Sequence, residues 1–246
     1  MNLLILEPEE LDDAAGVTVG GPRAAHLVNV LKVTPGQTVR VGLLDGAHGV
    51  AAVTAIAPGR VSLRCSFDAT LPPRPRVDLL LALPRPKVMR RVWAQLAALG
   101  VGRIILTNAT RVERPYFDTH VIAPACYRPL LVEGLQQARD TRLPLVSIHR
   151  QFRVLVEDEL DKLFTNGTRL LAHPGAATAI PDAVRAHAAE RLLIAVGPEG
   201  GWNAFEVSLF EAHGFHTVAL GQRTLRVDTA CIAVLALLHG ALHDST

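Results

Sequence analysis

The sequence predicts an α/β protein: a small N-terminal β-barrel at 1–70, a linker at 71–77, and a larger domain of alternating strands and helices at 78–246. Three observations predict it. Short strands of alternating pattern, separated by the turn signals TPG, LDG and APG, fill the first part. LPPRPRV (71–77) follows, and consecutive prolines keep a chain extended and stiff. Beyond it, continuous apolar runs of strand length alternate with segments of helical period.

Taken in order, NLLIL, TVRVGLL, GVAAVTAI and RVSLRC are the N-terminal strands, with one short helix around AAHLVNVL after the Pro22 turn. VDLLLAL (77–83) suits a buried strand, and VMRRVWAQLAALG (88–100) places Val88, Val92, Leu96 and Leu99 at helical spacing before Gly100 stops it. VGRIILTN is a strand, followed by the polar RVERPYF. A helix through RPLLVEGLQQARD, then LPLVSIH and TRLLAHPG, continue the α/β rhythm. RLLIAV (191–196) is a strand, and NAFEVSLFEAHG a helix opened by Asn203 as N-cap with Glu206 three residues on, a capping-box pattern. FHTVAL is a strand, GQRTLRVD a loop and TACIAVLALLHGAL the last helix. That helix is apolar all round, which predicts burial between elements or in a subunit interface.

With 246 residues, 49% of them hydrophobic, the chain can bury a sizeable core, although aromatics supply only 4%. Cys65, Cys126 and Cys231 are odd in number and form no CxxC pair, which argues against a disulfide framework and for a reducing compartment. MNLLILEPEELDD has no basic stretch of a signal peptide, and no apolar run reaches membrane-spanning length; a soluble, cytoplasmic protein is expected. Net charge is only +2, but between Leu71 and Val154 there are 14 Lys and Arg against 5 Asp and Glu. Arg dominates that strip, and its planar fork suits bidentate phosphate contacts. The strip reads either as a polyanion-binding face or as an Arg-rich solvated one.

VGPEGGW (196–202) lies between a strand and a helix, where nucleotide-binding proteins hold phosphates, yet it is neither GxGxxG nor GxxxxGK[ST]. Glu199 would repel an anion, so the loop suits a ligand that is neutral or cationic where it meets protein. On these residues alone a plain strand-to-helix turn remains equally open. A second loop, LGQRTLRVDTA (220–230), follows the next strand, and two such loops can converge at the carboxyl edge of one sheet. Together, IAVGPEGGW and VALGQRTLRVDTA resemble the paired motifs GPEGG and LG-x-R-x-LR-x-ET-A of the ribosomal RNA small subunit methyltransferase E family, in the SPOUT (α/β-knot) superfamily. HLVNVLKVTPGQTVRV (26–41) and LALPRPKVMRRVWAQLAALGV extend the resemblance nearly end to end.

The resemblance implies a PUA-like RNA-binding barrel followed by a trefoil-knotted methyltransferase domain, and a homodimer through the knotted domain. It implies S-adenosylmethionine as cofactor, held by LLAHPG (170–175), VGPEGG and LGQRTL, with Leu171, His173, Gly197, Pro198, Glu199, Gly200, Leu220, Gly221, Leu225, Thr229 and Ala230 as binding residues. The implied reaction is methylation of N3 of a uridine in small-subunit ribosomal RNA. Arg226 is then the candidate for stabilising negative charge, with Glu113, Glu199 and Asp228 all open as the proton acceptor. A salt bridge from Arg226 to Asp228 or Glu199 is its structural alternative. Arg85, Lys87, Arg111 and Arg114 are expected to grip RNA.

The sequence departs from the family where Asp228 replaces a usual Glu, Ala98 a common Glu, and Asp140 a common Arg. These changes leave the target open between small-subunit RNA, another ribosomal position and tRNA, with a ribosome-assembly protein that only binds RNA as the non-enzymatic alternative. His213, His216, His239 and His243 lack a third ligand or an HExxH pattern, so no metal is expected. Ser147 and Ser208 have no nucleophile-elbow context.

Overall fold

The computed structural model describes residues 2–185 and 191–243, which separate into two compact units. One comprises Met1–Arg74 with Val132–Leu143, the other Pro75–Leu131 with Pro144–Thr246.

The first unit holds a five-stranded sheet in the order β1-β3-β4-β5-β2. Its strands are β1 (Leu4–Leu6), β2 (Gly16–Gly20), β3 (Thr38–Leu43), β4 (His48–Ala57) and β5 (Arg60–Phe67). Side chains alternate across a strand, so Val17 and Val19 of β2 and Val61, Leu63 and Cys65 of β5 point into one core with Leu4, Leu6 and Leu27. β2 was not expected as a strand: five residues with glycine at each end give little pattern to read. The predicted helix after Pro22 is present as α1 (Gly21–Ala25), continued by a π-helical turn, His26–Val30.

Residues 132–143 also group with this unit. The Gln136 carbonyl accepts from the N–H groups of Asn2 and Leu3, and the Thr141 carbonyl from that of Asp45. Thr141 Oγ1 donates to the Gly46 carbonyl at 2.6 Å. Asp140, at a family Arg position, has a local role: its Oδ1 accepts from the N–H groups of Thr141 and Arg142 and shapes the turn.

The second unit is built on a parallel six-stranded sheet in the order β11-β9-β10-β6-β7-β8. The strands are β6 (Val77–Ala82), β7 (Val101–Thr107), β8 (Leu145–His149), β9 (Thr168–Ala172), β10 (Leu192–Val196) and β11 (Phe215–Val218). β6 and β10 are buried at every position, as apolar strands in a sheet covered on both faces should be, and Asp78 is the one charged residue among them. The helices are α2 (Pro86–Ala98), α3 (Pro124–Ala138), the short α4 (Phe152–Val154), α5 (Leu160–Leu163) and α6 (Ile180–Arg185), then α7 (Ala204–Ala212) and α8 (Val227–His243).

α2 buries Met89, Val92, Trp93 and Leu96 along one stripe. α8 buries Val227, Cys231, Val234, Leu235, Leu238 and Leu242. Ile232 and Leu237 remain more than a third exposed, so α8 is buried on one face rather than all round. No described helix is long and apolar enough to cross a membrane.

Candidate functional site

β11, β9 and β10 are neighbours, with Val218 opposite Ala172 and Ala195 opposite Leu171. Their carboxyl ends are therefore level, and the three loops that leave them surround a cavity of about 310 Å³. This is where open parallel sheets place ligands, and the volume lies at the low end of small-molecule sites. The first loop is anchored by His173 N–H to the Val218 carbonyl, and the third by Ala219 N–H to the Thr178 carbonyl.

The middle loop turns tightly: Gly201 N–H bonds to the Pro198 carbonyl at 2.8 Å. Gly201, at φ +71°, holds a left-handed conformation that only glycine adopts freely. The other glycines answer to neighbours. A Cβ on Gly197 would lie 3.1 Å from Trp202 Nε1, and one on Gly200 would lie 2.7 Å from Arg111 Cδ. Trp202 belongs to a cluster of rings under the loop, 5.0 Å from Phe210 and 5.7 Å from Phe152 between centroids, with Phe215 4.6 Å from Phe210. Four of the few aromatic residues are concentrated where the loop must be held rigid.

The loop is also fastened to the segment after β7. Arg111 Nη1 donates to the Gly200 carbonyl. Glu206, 2% exposed, accepts from Thr110 N–H at 2.7 Å and from Asn203 N–H at 2.8 Å. Asn203 Oδ1 in turn accepts from Glu206 N–H, completing the expected capping box, and its Nδ2 donates to Thr110 Oγ1 at 2.9 Å.

The three carboxylates left open as proton acceptors have different surroundings. Asp228 is paired with Arg91 of α2 at 2.8 Å, and that hydrogen bond lowers its pKa. Glu113 Oε1 accepts the Tyr116 hydroxyl at 2.8 Å. Glu199 lines the cavity and accepts from Arg85 N–H at 3.3 Å. Burial, then the Glu113 carboxylate, pushes the Tyr116 phenol up, so it stays a neutral donor. Arg226 is exposed and its side chain makes no hydrogen bond or ion pair among the described residues. The suggested bridge from Arg226 to Asp228 or Glu199 is absent there, since Arg91 holds Asp228 and Glu199 bonds to backbone.

Of the residues expected at a cofactor, His173, Gly197, Pro198, Glu199, Gly200, Leu220, Gly221, Leu225 and Ala230 line the cavity. Leu171 and Thr229 do not: Leu171 is wholly buried within β9, and Thr229 is an exposed residue in the first turn of α8. Ala172, Pro174, Val196, Gly201, Arg223 and Thr224 also line the cavity, inside the three expected loops but not among the expected contacts, and Trp202 and Val227 line it from just beyond those loops. Counting outward from the loops would have found them.

Arg111 differs from its neighbours in the basic strip, because its guanidinium clamps the glycine loop. Arg85, Lys87, Arg90 and Arg114 are exposed and form no ion pair among the described residues. Among the described residues no group of three or more His, Cys, Asp or Glu could hold a metal ion.

The profile of the RNA methyltransferase domain family matches residues 72–239, more than half of the chain. The chain belongs to this family. Along 99% of its length this methyltransferase-family protein is also 29% identical to the ribosomal RNA small subunit methyltransferase E of Treponema pallidum (strain Nichols), covering 92% of that protein. Its α/β fold matches that of ribosomal RNA small subunit methyltransferase E from Neisseria gonorrhoeae, crystallised with S-adenosyl methionine, at TM-score 0.77 and 24% identity, over 98% of this chain and 97% of that one. A protein from Legionella pneumophila, solved in complex with the same cofactor, matches at TM-score 0.74 and 20% identity, again over 98% and 97%.

Proposed function

We propose that the protein is a cytoplasmic, S-adenosylmethionine-dependent methyltransferase that acts on small-subunit ribosomal RNA and methylates N3 of a uridine. The observation that carries the reading is the cavity at three level strand ends, lined by both sequence motifs and holding a carboxylate but no phosphate-binding lysine. The residues fit the cofactor. A cradle closed to side chains at Gly197 and Gly200 keeps backbone at the surface, and Glu199 favours a cationic centre. Leu220 and Leu225 offer backbone groups for adenine.

Bound there, the cofactor supplies a methyl group on a positively charged sulfur; the remaining chemistry falls to the chain. Uracil N3–H is a weak acid and a poor nucleophile until its proton leaves. The chain must hold N3 in line with the methyl group, largely a positioning effect, and must accept that proton. Asp228 is poorly suited, because Arg91 lowers its proton affinity; Glu113 and Glu199 remain. Arg226, unpaired at the start of α8, stabilises the negative charge left on the uracil. The same reading makes residues 1–70 a PUA-like RNA-binding barrel, 71–77 a linker and 78–246 a trefoil-knotted domain that forms a homodimer. Arg85, Lys87 and Arg114 then face the RNA.

Calorimetric titration with S-adenosylmethionine tests the cavity, and mapping of modified nucleotides in RNA from a deletion strain tests the target. Absence of binding at millimolar ligand favours a protein that only binds RNA; a missing modification in tRNA or elsewhere in ribosomal RNA moves the target. Gly200→Val should weaken cofactor binding about 10-fold or more, the scale of an overpacked site. Because the nearest obstacle is Arg111, removing that side chain should recover part of the loss. Equal losses with and without Arg111→Ala would place the obstruction in the cofactor's own path.

A further inference from the structure

N3 lies on the Watson–Crick edge of a pyrimidine, so a paired base must leave its helix to be methylated there. Extruded bases are held on the faces of aromatic side chains. This chain has only 2 Trp, 2 Tyr and 7 Phe. Trp93 and Tyr127 pack together 4.9 Å apart. Phe152, Trp202, Phe210 and Phe215 form the ring cluster under the glycine loop. Phe117 and Phe164 are buried, and Phe67 packs on the core of the first unit. That leaves Tyr116 and Phe205.

Phe205 is 58% exposed on α7. Tyr116, partly exposed in a 3-10 turn (Arg114–Asp118), is the one with ties to the site. It lies in the segment that Arg111 and Thr110 fasten to the glycine loop and to the helix after it, and its hydroxyl is fixed on Glu113 at 2.8 Å. Arg114 is exposed in the same turn, so the segment offers a cation as well as a ring, the combination found in single-strand binding platforms.

Resting on the methyltransferase reading above, we infer that the Tyr116 ring is the stacking platform for the extruded pyrimidine of the RNA substrate, with its hydroxyl serving to lock the ring in place through Glu113. The face is what the base needs; the hydroxyl only orients it. Tyr116 therefore governs RNA use without touching cofactor binding. The bland alternative is a staple in the turn, since the hydroxyl bonds to Glu113 and the Tyr116 carbonyl accepts Thr119 Oγ1.

The test compares Tyr116→Phe, Tyr116→Trp, Tyr116→Leu and Phe205→Leu in the full chain. Each is assayed for methyl transfer to small ribosomal subunits from a deletion strain, for S-adenosylmethionine affinity and for melting temperature. Tyr116→Leu should lose about 10- to 100-fold in kcat/KM for RNA, the scale of one lost base–aromatic stack. Tyr116→Phe and Tyr116→Trp should stay within a few fold, Phe205→Leu should match the parent, and cofactor affinity should not change in any of them. The inference fails if Tyr116→Leu matches the parent, if Tyr116→Phe loses as much as Tyr116→Leu, or if the loss follows Phe205. An unmodified chain that binds cofactor but methylates no RNA would instead overturn the methyltransferase reading itself.

Discussion

Arg226→Ala is expected to slow methyl transfer about 100-fold or more, the scale for losing one preorganised electrostatic contact, while leaving S-adenosylmethionine affinity within a few fold. The expectation comes from what surrounds the side chain. Leu225 and Val227 line the cavity, whereas Arg226 does not. Its backbone carbonyl accepts Ala230 N–H at 2.7 Å, so its position at the entrance to α8 is fixed through the main chain and survives truncation of the side chain. The carboxylates that could have neutralised it are engaged elsewhere: Asp228 with Arg91, and Glu199 with Arg85 N–H. A guanidinium left without a partner beside a binding cavity is available for charge that appears during reaction. Single-turnover rates and calorimetry separate the two quantities. Arg226→Lys should fall between, because it keeps the charge and loses the fork. Parallel loss of rate and cofactor affinity would assign Arg226 to cofactor binding.

The two glycine-bearing loops and the capping box at Asn203 were legible in the sequence because each is a local device, written in adjacent residues. Strands such as β6 and β10 were legible because burial on both faces leaves a run that is apolar but for Asp78. What escaped is non-local. Asp78 and Arg191, 113 residues apart, join through 2.9 Å bonds at the other end of the sheet, and nothing in either neighbourhood announces the pair. α3 reads as one helix, yet its residues from 132 onward belong with the first unit, since periodicity says that a face is apolar and not what covers it. Arg111 was indistinguishable from Arg114 in RVERPYF. One clamps the glycine loop and the other forms no ion pair among the described residues, a difference set by the fold of residues some 90 positions away.

Glu206→Ala should cost roughly 2–4 kcal/mol of stability, the sum expected for a lost helix cap and a buried charge-assisted acceptor. For a chain of this size that corresponds to roughly 5–15 °C in melting temperature. The carboxylate is 2% exposed, and each oxygen has its own donor: Thr110 N–H on Oε1 and Asn203 N–H on Oε2. Truncation leaves both donors without an acceptor in a place water barely reaches. It also removes one of the ties between the segment carrying Arg111, Glu113 and Tyr116 and the loop that shapes the cavity, so S-adenosylmethionine affinity should fall with stability. Glu206→Gln isolates the cause, because it keeps the shape and one acceptor but turns an NH₂ group toward a backbone N–H. It should therefore lose at least half as much as alanine, in melting temperature and in cofactor affinity alike. A glutamine variant as stable as the parent would mean that filling the space under the loop matters and the paired acceptors do not. Loss of stability with unchanged cofactor affinity would mean that the Trp202 ring cluster and the Arg111 clamp hold the loop in shape without Glu206.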